Sequence, residues 1–507
     1  MKKLKVILLK PSKYTHDGYV QRFQSGFMPN ACLTHIASLT PDTINGYDIT
    51  VHYIDEYIRC DLDYLQTLRR SDDVVTLLAV IGVQSHQFHR AIDLAAYARS
   101  NGVEHVIIGG PHPMTCDTSL LHGRGVSFSL SEAEVVWRQV LEDATQGELR
   151  PVYGADHRWA ITIEDVTFRP PPREEVERHW VPMVGYYPVR GCPFACNFCS
   201  VIKIAGRQVR NPTIDSIISA LKVIRRAGIE LVMFTSDNFN KFPQATELLT
   251  AMIEENVGIR FFFQSDTQIV KQPKLVDLIG RAGGLEMFLG VESFDLDTLK
   301  KIQKRHNKPD TYGEIVRLCR DSGIRAHFSN IIGFPDQNED GIRMHMAALK
   351  DLAPEFASFF ILTPIPGTEQ YREFLDQGLI YEKNLDRFDA YTPTFYHEHI
   401  NPVRLQDLLF NVYEEFYKDA MQKHRTRIDR ETRNYMVFCR WSAANKMHPM
   451  SSGSGGVLLD KSADYLGLRK QLFDVGELLP LPNNLQLSKA DEDFNRSVDW
   501  KKSTINA

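Results

Sequence analysis

Three cysteines fall within ten residues of this chain, in the run Arg190-Gly191-Cys192-Pro193-Phe194-Ala195-Cys196-Asn197-Phe198-Cys199. Three thiolates spaced C-x3-C-x2-C suit a soft metal or an iron–sulfur cluster. Cys32, Cys60, Cys116, Cys319 and Cys439 are scattered singly and supply no obvious fourth ligand. A three-ligand site leaves a coordination position open, and open positions do chemistry. Structural zinc sites pair CxxC or Cys/His halves, whereas the nearest downstream histidine is His306. Disulfides fit worse: eight cysteines in 507 residues, without regular spacing or a secretory signal, describe a reduced cytoplasmic protein. The isolated cysteines read as small packed hydrophobes.

The elements that position the triplet follow from alternation. Residues 1–150 alternate short apolar runs with helical patterns, as in a parallel sheet covered on both faces. Strands are expected at Leu4–Leu9, Asp48–Asp55, Val74–Val83, Val103–Ile108 and Val126–Leu130. Helices are expected around Ala31–Leu39, Leu62–Arg70, Phe88–Ser100 and Glu132–Ala144. Such an α/β doubly wound, Rossmann-like domain binds ligands outside the carboxyl ends of its strands. Gly109-Gly110-Pro111-His112-Pro113 directly follows the fourth strand, where residues without side chains let backbone approach a large ligand. A tight turn alone would have the same composition.

Residues 151–182, with Pro170-Pro171-Pro172 at their centre, read as a linker. Six further strands are expected at Met183–Val189, Ile229–Thr235, Ile259–Ser265, Leu285–Val291, Ile324–Ile332 and Glu355–Leu362. Residues such as Ile214, Ile217, Ile218, Leu221 and Ile224 fall at helix spacing between them. Six strand–helix units over 183–385 suggest a partial (β/α)6 TIM-type barrel whose site lies at the carboxyl ends of its strands. The cysteines occupy the loop after its first strand. Residues 386–507 read as helical, clearest at Leu405–Arg425 and Arg430–Lys446. Ser451–Gly456 reads as a flexible loop, and the last twenty residues as loosely ordered.

Composition excludes some classes. With 43% hydrophobic and 24% charged residues the chain is globular and large enough for two or three domains. A formal charge of -5 gives no general attraction to nucleic acid. Its longest apolar stretch, Leu77–Val83 with its flanks, is far short of the roughly 20 residues a membrane span needs. Lys2, Lys3 and Lys5 precede only a four-residue apolar run ending at Lys10-Pro11, which makes no signal peptide.

On the CxxxCxxC run after the first barrel strand, the sequence resembles the radical S-adenosylmethionine (SAM) enzymes. The resemblance implies that Cys192, Cys196 and Cys199 hold a [4Fe-4S] cluster. Its open iron would be chelated by SAM, which one electron cleaves to a 5'-deoxyadenosyl radical. It also implies SAM contacts from Phe198, from Ser236 and Asp237 in Thr235-Ser236-Asp237-Asn238-Phe239, and from Glu292 in Gly290-Val291-Glu292-Ser293. Asn330 and Gly333 in Asn330-Ile331-Ile332-Gly333-Phe334-Pro335, and Thr363 in Thr363-Pro364-Ile365-Pro366-Gly367-Thr368, complete the set. On spacing alone Asp237 reads as a cap for the following helix.

The N-terminal region, through Gly109-Gly110-Pro111-His112-Pro113, Met28-Pro29-Asn30 and Tyr53-Ile54-Asp55, is similar to the cobalamin-binding domain of cobalamin-dependent radical SAM methyltransferases. That implies cobalamin contacts from Ser85, Gly109, Gly110, Pro111, His112 and Ser131. The family's Gly-Glu-x-Glu stretch is here Ser131-Glu132-Ala133-Glu134, and the Asp-x-His-x-x-Gly motif of other cobalamin proteins is absent. Cobalamin would then bind with its nucleotide tail displaced and its lower face free of histidine. His112, as a residue of a Gly-Pro loop, reads as a local hydrogen-bonding group rather than a ligand. The implied activity is C-methylation of an unactivated carbon in a small molecule, with an electron donor such as flavodoxin or ferredoxin as partner. The alternatives are a radical cyclisation or rearrangement without methyl transfer, an N-terminal domain reduced to a corrin-free scaffold, and a non-catalytic cluster-binding sensor.

Overall fold

The computed structural model describes residues 2–23, 25–26, 29–59, 61–426, 428–449, 463–473 and 487–496. Met28, Cys60 and the Ser451–Gly456 run lie outside them.

The first sheet is built from β1 (Lys2–Lys10), β2 (Thr43–Ile44), β3 (Tyr47–Asp55), β4 (Val74–Val80), β5 (His105–Gly109), β6 (Ser127–Ser129) and β7 (Val152–Tyr153). Their order is β2-β3-β1-β4-β5-β6-β7, and every pairing is parallel except that of β2 with β3. Apolar side chains run along both faces of β1, because helices cover both. Ile7, Leu9, Leu78, Val80 and Ile108 pack toward the helix Phe88–Ser100, while Val6, Leu8, Leu77, Ala79 and Ile107 pack toward the helices Ala31–Leu39 and Ala133–Gln146. The chain leaves β1 toward β3 on one side and returns through β4 on the other. A crevice therefore opens at the carboxyl ends of β1 and β4, the topological switch point.

The second sheet is β8 (Met183–Tyr186), β9 (Leu231–Phe234), β10 (Arg260–Ser265), β11 (Gly284–Glu292), β12 (Arg325–Ile332) and β13 (Phe356–Ile361), in consecutive order and all parallel. Alternate residues such as Phe261, Phe263, Met287, Leu289, Ala326 and Phe328 join one core. The six strands do not close, and both edges are covered, as unpaired edges must be. At β13, the Phe359 N–H donates to the Tyr413 hydroxyl at 3.0 Å and the Tyr417 hydroxyl donates to Ala357 O at 2.8 Å, both from the helix Pro402–Lys423. At β8, the helix Ala31–Leu39 lies so close that a Cβ on Gly185 would stand 2.5 Å from that of Ala31. This contact fixes the N-terminal sheet against the barrel.

Several sequence expectations need correction. Among the described residues the first sheet has seven strands rather than five, because β2 and β7 are two residues each and too short to show alternation. Asn45-Gly46, both at positive φ, turns β2 into β3 as a tight hairpin. Within 62–70 only Tyr64–Thr67 is helical. The C-terminal end contains an ordered helix, Lys489–Arg496. There Asp491 is fully buried and accepts from the Arg158 N–H at 3.0 Å, and Phe494 stacks on Trp159 with 5.3 Å between centroids. No helix among the described residues is long and apolar enough to cross a membrane.

Candidate active site

The cysteine loop leaves β8 and is tied at its neck, where Arg190 and Arg210 exchange backbone hydrogen bonds of 2.9 Å. Gly191 sits at φ +93, and a Cβ there would lie 2.0 Å from Gln208 O, so only glycine fits. Its N–H donates to the Asp237 carboxylate at 2.7 Å. Asp237 is thus no helix cap: it anchors the loop to the end of β9. Within the loop the Cys192 N–H donates to Gly206 O and the Cys199 N–H to Cys196 O, at 3.2 and 3.1 Å.

All three thiols are free. Burial pushes Cys192 and Cys199 up to about 12 and Cys196 to about 11, the last against the pull of Lys304. Left alone they stay protonated near neutrality, so a bound cation must supply the charge that makes them thiolates. Among the described residues no three His, Cys, Asp or Glu side chains group as a site for one metal ion. A mononuclear site draws its ligands to about 2.0–2.3 Å of a single point; thiolates on separate irons of a cluster need not converge so far. Lys304 donates to Glu292 Oε1 at 2.7 Å and lies 5.8 Å above the Phe198 ring. Phe198 also packs against the cluster of Ile302, Ile331, Phe334 and Leu362.

The strand ends around the loop carry polar groups. Ser236 Oγ is buried with no hydrogen-bond partner among the described residues, which fits a site completed by a polar ligand. Glu292 adopts φ +63 where the β11–β12 register shifts; a non-glycine residue there is strained. A Cβ on Gly290 would stand 2.6 Å from Lys304 Nζ and 2.7 Å from Glu292 Oε1, so the glycine makes room for this ion pair. Asp266, at the end of β10, accepts from Asn238 Nδ2 at 2.7 Å and Asn240 Nδ2 at 3.2 Å. Asn330 is fully buried and already bonded within the barrel wall. Its Nδ2 donates to Phe328 O at 2.8 Å, and its Oδ1 lies 2.9 Å from His345 Nε2. Gly333, at φ +77, lets Leu405 approach, and the Thr363 hydroxyl donates to Ile361 O at 3.1 Å. The structure therefore gathers Ser236, Asp237 and Glu292 with the cysteine loop, while Asn330, Gly333 and Thr363 hold the wall behind.

Between the two sheets lies a cavity of about 290 Å³, partly open to solvent. One side is formed by Gly82, Gly109 and Gly110, the other by Tyr187, Arg190 and Asp237. Gly110, at φ +135, admits no Cβ, which would fall 2.1 Å from Val83 N. The same cavity reaches Ile36, Ala79, Ile107, Trp137 and Val140, an apolar slot between the helices Ala31–Leu39 and Ala133–Gln146. Cys32 also lines it, with Sγ 3.4 Å from the Tyr187 hydroxyl; Cys116, Cys319 and Cys439 are buried elsewhere.

Of the residues expected at cobalamin, Gly109, Gly110, Pro111 and Ser131 line this cavity, whereas Ser85 and His112 face each other behind it. His112 Nδ1 lies 3.0 Å from Ser85 Oγ, its ring stacks on Phe88 at 4.0 Å, and burial pushes it down to about 3, so it stays neutral. Ser131 leans on Gly154, at φ +72, where an added Cβ would lie 2.1 Å from Ser131 Oγ. The bulk that replaces the family's glycine at 131 is thereby absorbed by a glycine at 154.

Glu132 and Glu134 strap the two halves together. Arg210 donates to both Glu132 oxygens at 2.7 and 2.9 Å, and Arg190 Nη2 lies 2.8 Å from Glu134 Oε1. Burial alone would raise the Glu134 carboxyl, but Arg190 and His35 hold it well below the usual range. These arginines flank the cysteine loop, so the strap fixes that loop relative to the cavity. Sequence reasoning missed Arg190, Arg210, Lys304 and Asp266; the only available signal was the arginine directly before Gly191.

Residues 186–349 match the Radical SAM superfamily. Bacteriochlorophyllide d C-12(1)-methyltransferase of Chlorobaculum tepidum is 28% identical over 62% of this chain and 69% of its own length. An uncharacterised methyltransferase of Pyrococcus horikoshii is 23% identical over 86% of this chain and 99% of its own. Among solved structures, the radical SAM methyltransferase TsrM of Kitasatospora setae, with cobalamin and a [4Fe-4S] cluster bound, superposes with TM-score 0.60 at 14% identity, over 94% of this chain and 99% of that one. OxsB with aqua-cobalamin and SAM bound gives 0.59 at 13%, over 100% of this chain and 82% of that one.

Proposed function

We propose that this chain, which belongs to the radical SAM superfamily, is a cobalamin-dependent C-methyltransferase acting on an unactivated carbon of a small molecule. The observation that carries the reading is the single cavity that has the glycine-lined ends of the N-terminal strands on one side and the neck of the cysteine loop on the other. In this reading residues 1–150 are the cobalamin-binding unit, 151–182 the linker, 183–385 the radical SAM barrel and 386–507 the helical region. TsrM and OxsB, named above, bind cobalamin in the same overall fold.

When bound, the [4Fe-4S] cluster, SAM and cobalamin would supply a 5'-deoxyadenosyl radical and a transferable methyl group. The chain's own residues do the rest. Cys192, Cys196 and Cys199 hold the cluster; Ser236 offers an unpartnered hydroxyl and Glu292 a carboxylate to the amino-acid part of SAM, with Phe198 beside them. Gly109, Gly110 and Pro111 let backbone approach the corrin. The slot lined by Ile36, Ala79, Ile107 and Trp137 suits a displaced, planar nucleotide base. Asp237 and the Glu132–Arg210 and Glu134–Arg190 pairs hold the two reactive centres at a fixed separation. An external donor such as a flavodoxin or ferredoxin would reduce the cluster.

The test is anaerobic reconstitution with iron, sulfide and hydroxocobalamin, followed by metal analysis and mass spectrometry of small-molecule extracts treated with the enzyme. Stoichiometric cobalt, a corrin absorption spectrum and a product heavier by one methylene unit are expected. Cobalt-free protein would refute the cobalamin assignment, and a product with no added carbon would refute methyl transfer in favour of rearrangement.

A further inference from the structure

The helix Arg430–Ala444 buries one stripe, Thr432, Met436, Cys439 and Ala443, against the rest of the protein. Its opposite stripe, Arg430, Arg433, Val437 and Trp441, points outward at the i, i+3, i+7, i+11 spacing of a single face. Val437 is 49% exposed and Trp441 50%. Beside them the segment before β8 adds Trp180, 39% exposed, and Val181, 45% exposed. The patch is continuous: Trp180 meets Phe438 edge-on at 4.5 Å, and Phe438 lies parallel to Trp441 at 6.4 Å. Scattered apolar surface residues need no explanation, but two exposed indoles joined through the half-buried Phe438 and flanked by exposed Val181 and Val437 do.

Charge narrows what covers it. Residues 423–446 contain seven Lys or Arg and only two Asp or Glu, in a chain whose formal charge is -5. Arg430 and Arg433 lie on the exposed face itself. Indole rings at headgroup depth, flanked by guanidinium groups that pair with phosphate oxygens, are the surface chemistry of interfacial helices. We propose that this face docks the protein on an anionic lipid surface, with Trp180, Val437 and Trp441 entering the headgroup layer and Arg430 and Arg433 pairing with lipid phosphates. The helix lies on the membrane without crossing it.

The test uses the full-length protein and co-sedimentation with extruded vesicles of phosphatidylcholine alone or with one quarter phosphatidylglycerol, at low and high salt. Sedimentation with the anionic vesicles, weakened by salt, is expected. Val437→Glu with Trp441→Glu should lower partitioning by more than tenfold. Arg430→Gln and Arg433→Gln should each lower it about fivefold, the usual effect of one basic residue at an anionic surface. Each variant's melting temperature is checked against wild type, and the arginine pair, at exposed positions, keeps the test open if the glutamates disturb folding. Absence of binding, equal binding to neutral vesicles, or binding unchanged in both sets of variants would overturn the proposal. So would a concentration-dependent dimer that Trp441→Glu dissolves without any lipid binding, since the face would then join two copies of this chain.

Discussion

Gly154→Ala should expose the compensation that lets a serine stand at position 131. Two costs add at that site. Alanine at φ +72 enters left-handed backbone, worth roughly 1–2 kcal/mol. The new methyl would then lie 2.1 Å from Ser131 Oγ and 2.4 Å from Ser131 Cβ, an overpacking worth roughly 1–3 kcal/mol. Ser131→Gly removes the second cost and leaves the first. On its own it should cost about 0.5–1 kcal/mol through glycine's greater chain entropy. The double variant is therefore more stable than the sum of the singles predicts, by roughly 1–3 kcal/mol. Thermal unfolding of the four proteins, under identical anaerobic conditions, measures this coupling. Corrin retention supplies a second readout, because in Gly154→Ala the displaced Ser131 side chain moves toward the cavity that it lines. Additivity within about 0.5 kcal/mol, with corrin retention unchanged, would refute the account of Ser131.

Three further outcomes follow from named contacts. Glu56 is fully buried with Arg22 and Arg90; burial alone would raise it, but the two guanidinium groups and Tyr64 bring it down to about 2 from an ordinary 4.5. A depressed carboxylate stabilises the fold above its unfolded pKa and is lost as pH falls through the folded one, so about 3 kcal/mol present at neutrality should disappear between pH 4.5 and 2. The wild-type melting temperature should accordingly fall more steeply below pH 4.5 than that of Glu56→Gln, and equal slopes would contradict the assignment. Gly191→Ala, whose methyl would meet Gln208 O, should abolish iron incorporation while leaving the far-ultraviolet circular dichroism intact; full iron loading would show that the loop neck can yield. Glu132→Ala leaves the buried Arg210 without its carboxylate, a loss of about 3–5 kcal/mol, so it should lower the melting temperature and corrin content far more than Glu132→Gln does.

The parts of this architecture carried by local pattern were legible. Strands of six to nine residues that read as short, nearly continuous buried runs between helical patterns, such as β1 and β12, lie at their expected positions, and the cysteine spacing identified the loop that matters. What escaped depends on meetings between distant residues. Glu132 and Arg210 are 78 positions apart, and nothing in the acidic Ser131–Glu134 run says that its carboxylates face arginines rather than a cofactor. Asp237 looked like a helix cap because caps are local; its actual partner is 46 residues earlier. The helix Lys489–Arg496 has a polar composition, and its order rests on Asp491, Phe494 and Asn495 reaching Arg158, Trp159 and Arg207. Short strands fail for another reason: two residues cannot display a period of two.

The central claim is that three cysteines hold a cluster whose remaining iron is left for SAM. Mössbauer and electron paramagnetic resonance spectra of the anaerobically reconstituted protein, recorded with and without SAM, test it most directly. The account predicts a [4Fe-4S] cluster in which one iron changes its coordination when SAM is added, and no cluster in Cys196→Ala. Zinc in place of iron, or a cluster indifferent to SAM because the protein ligates every iron, would contradict it.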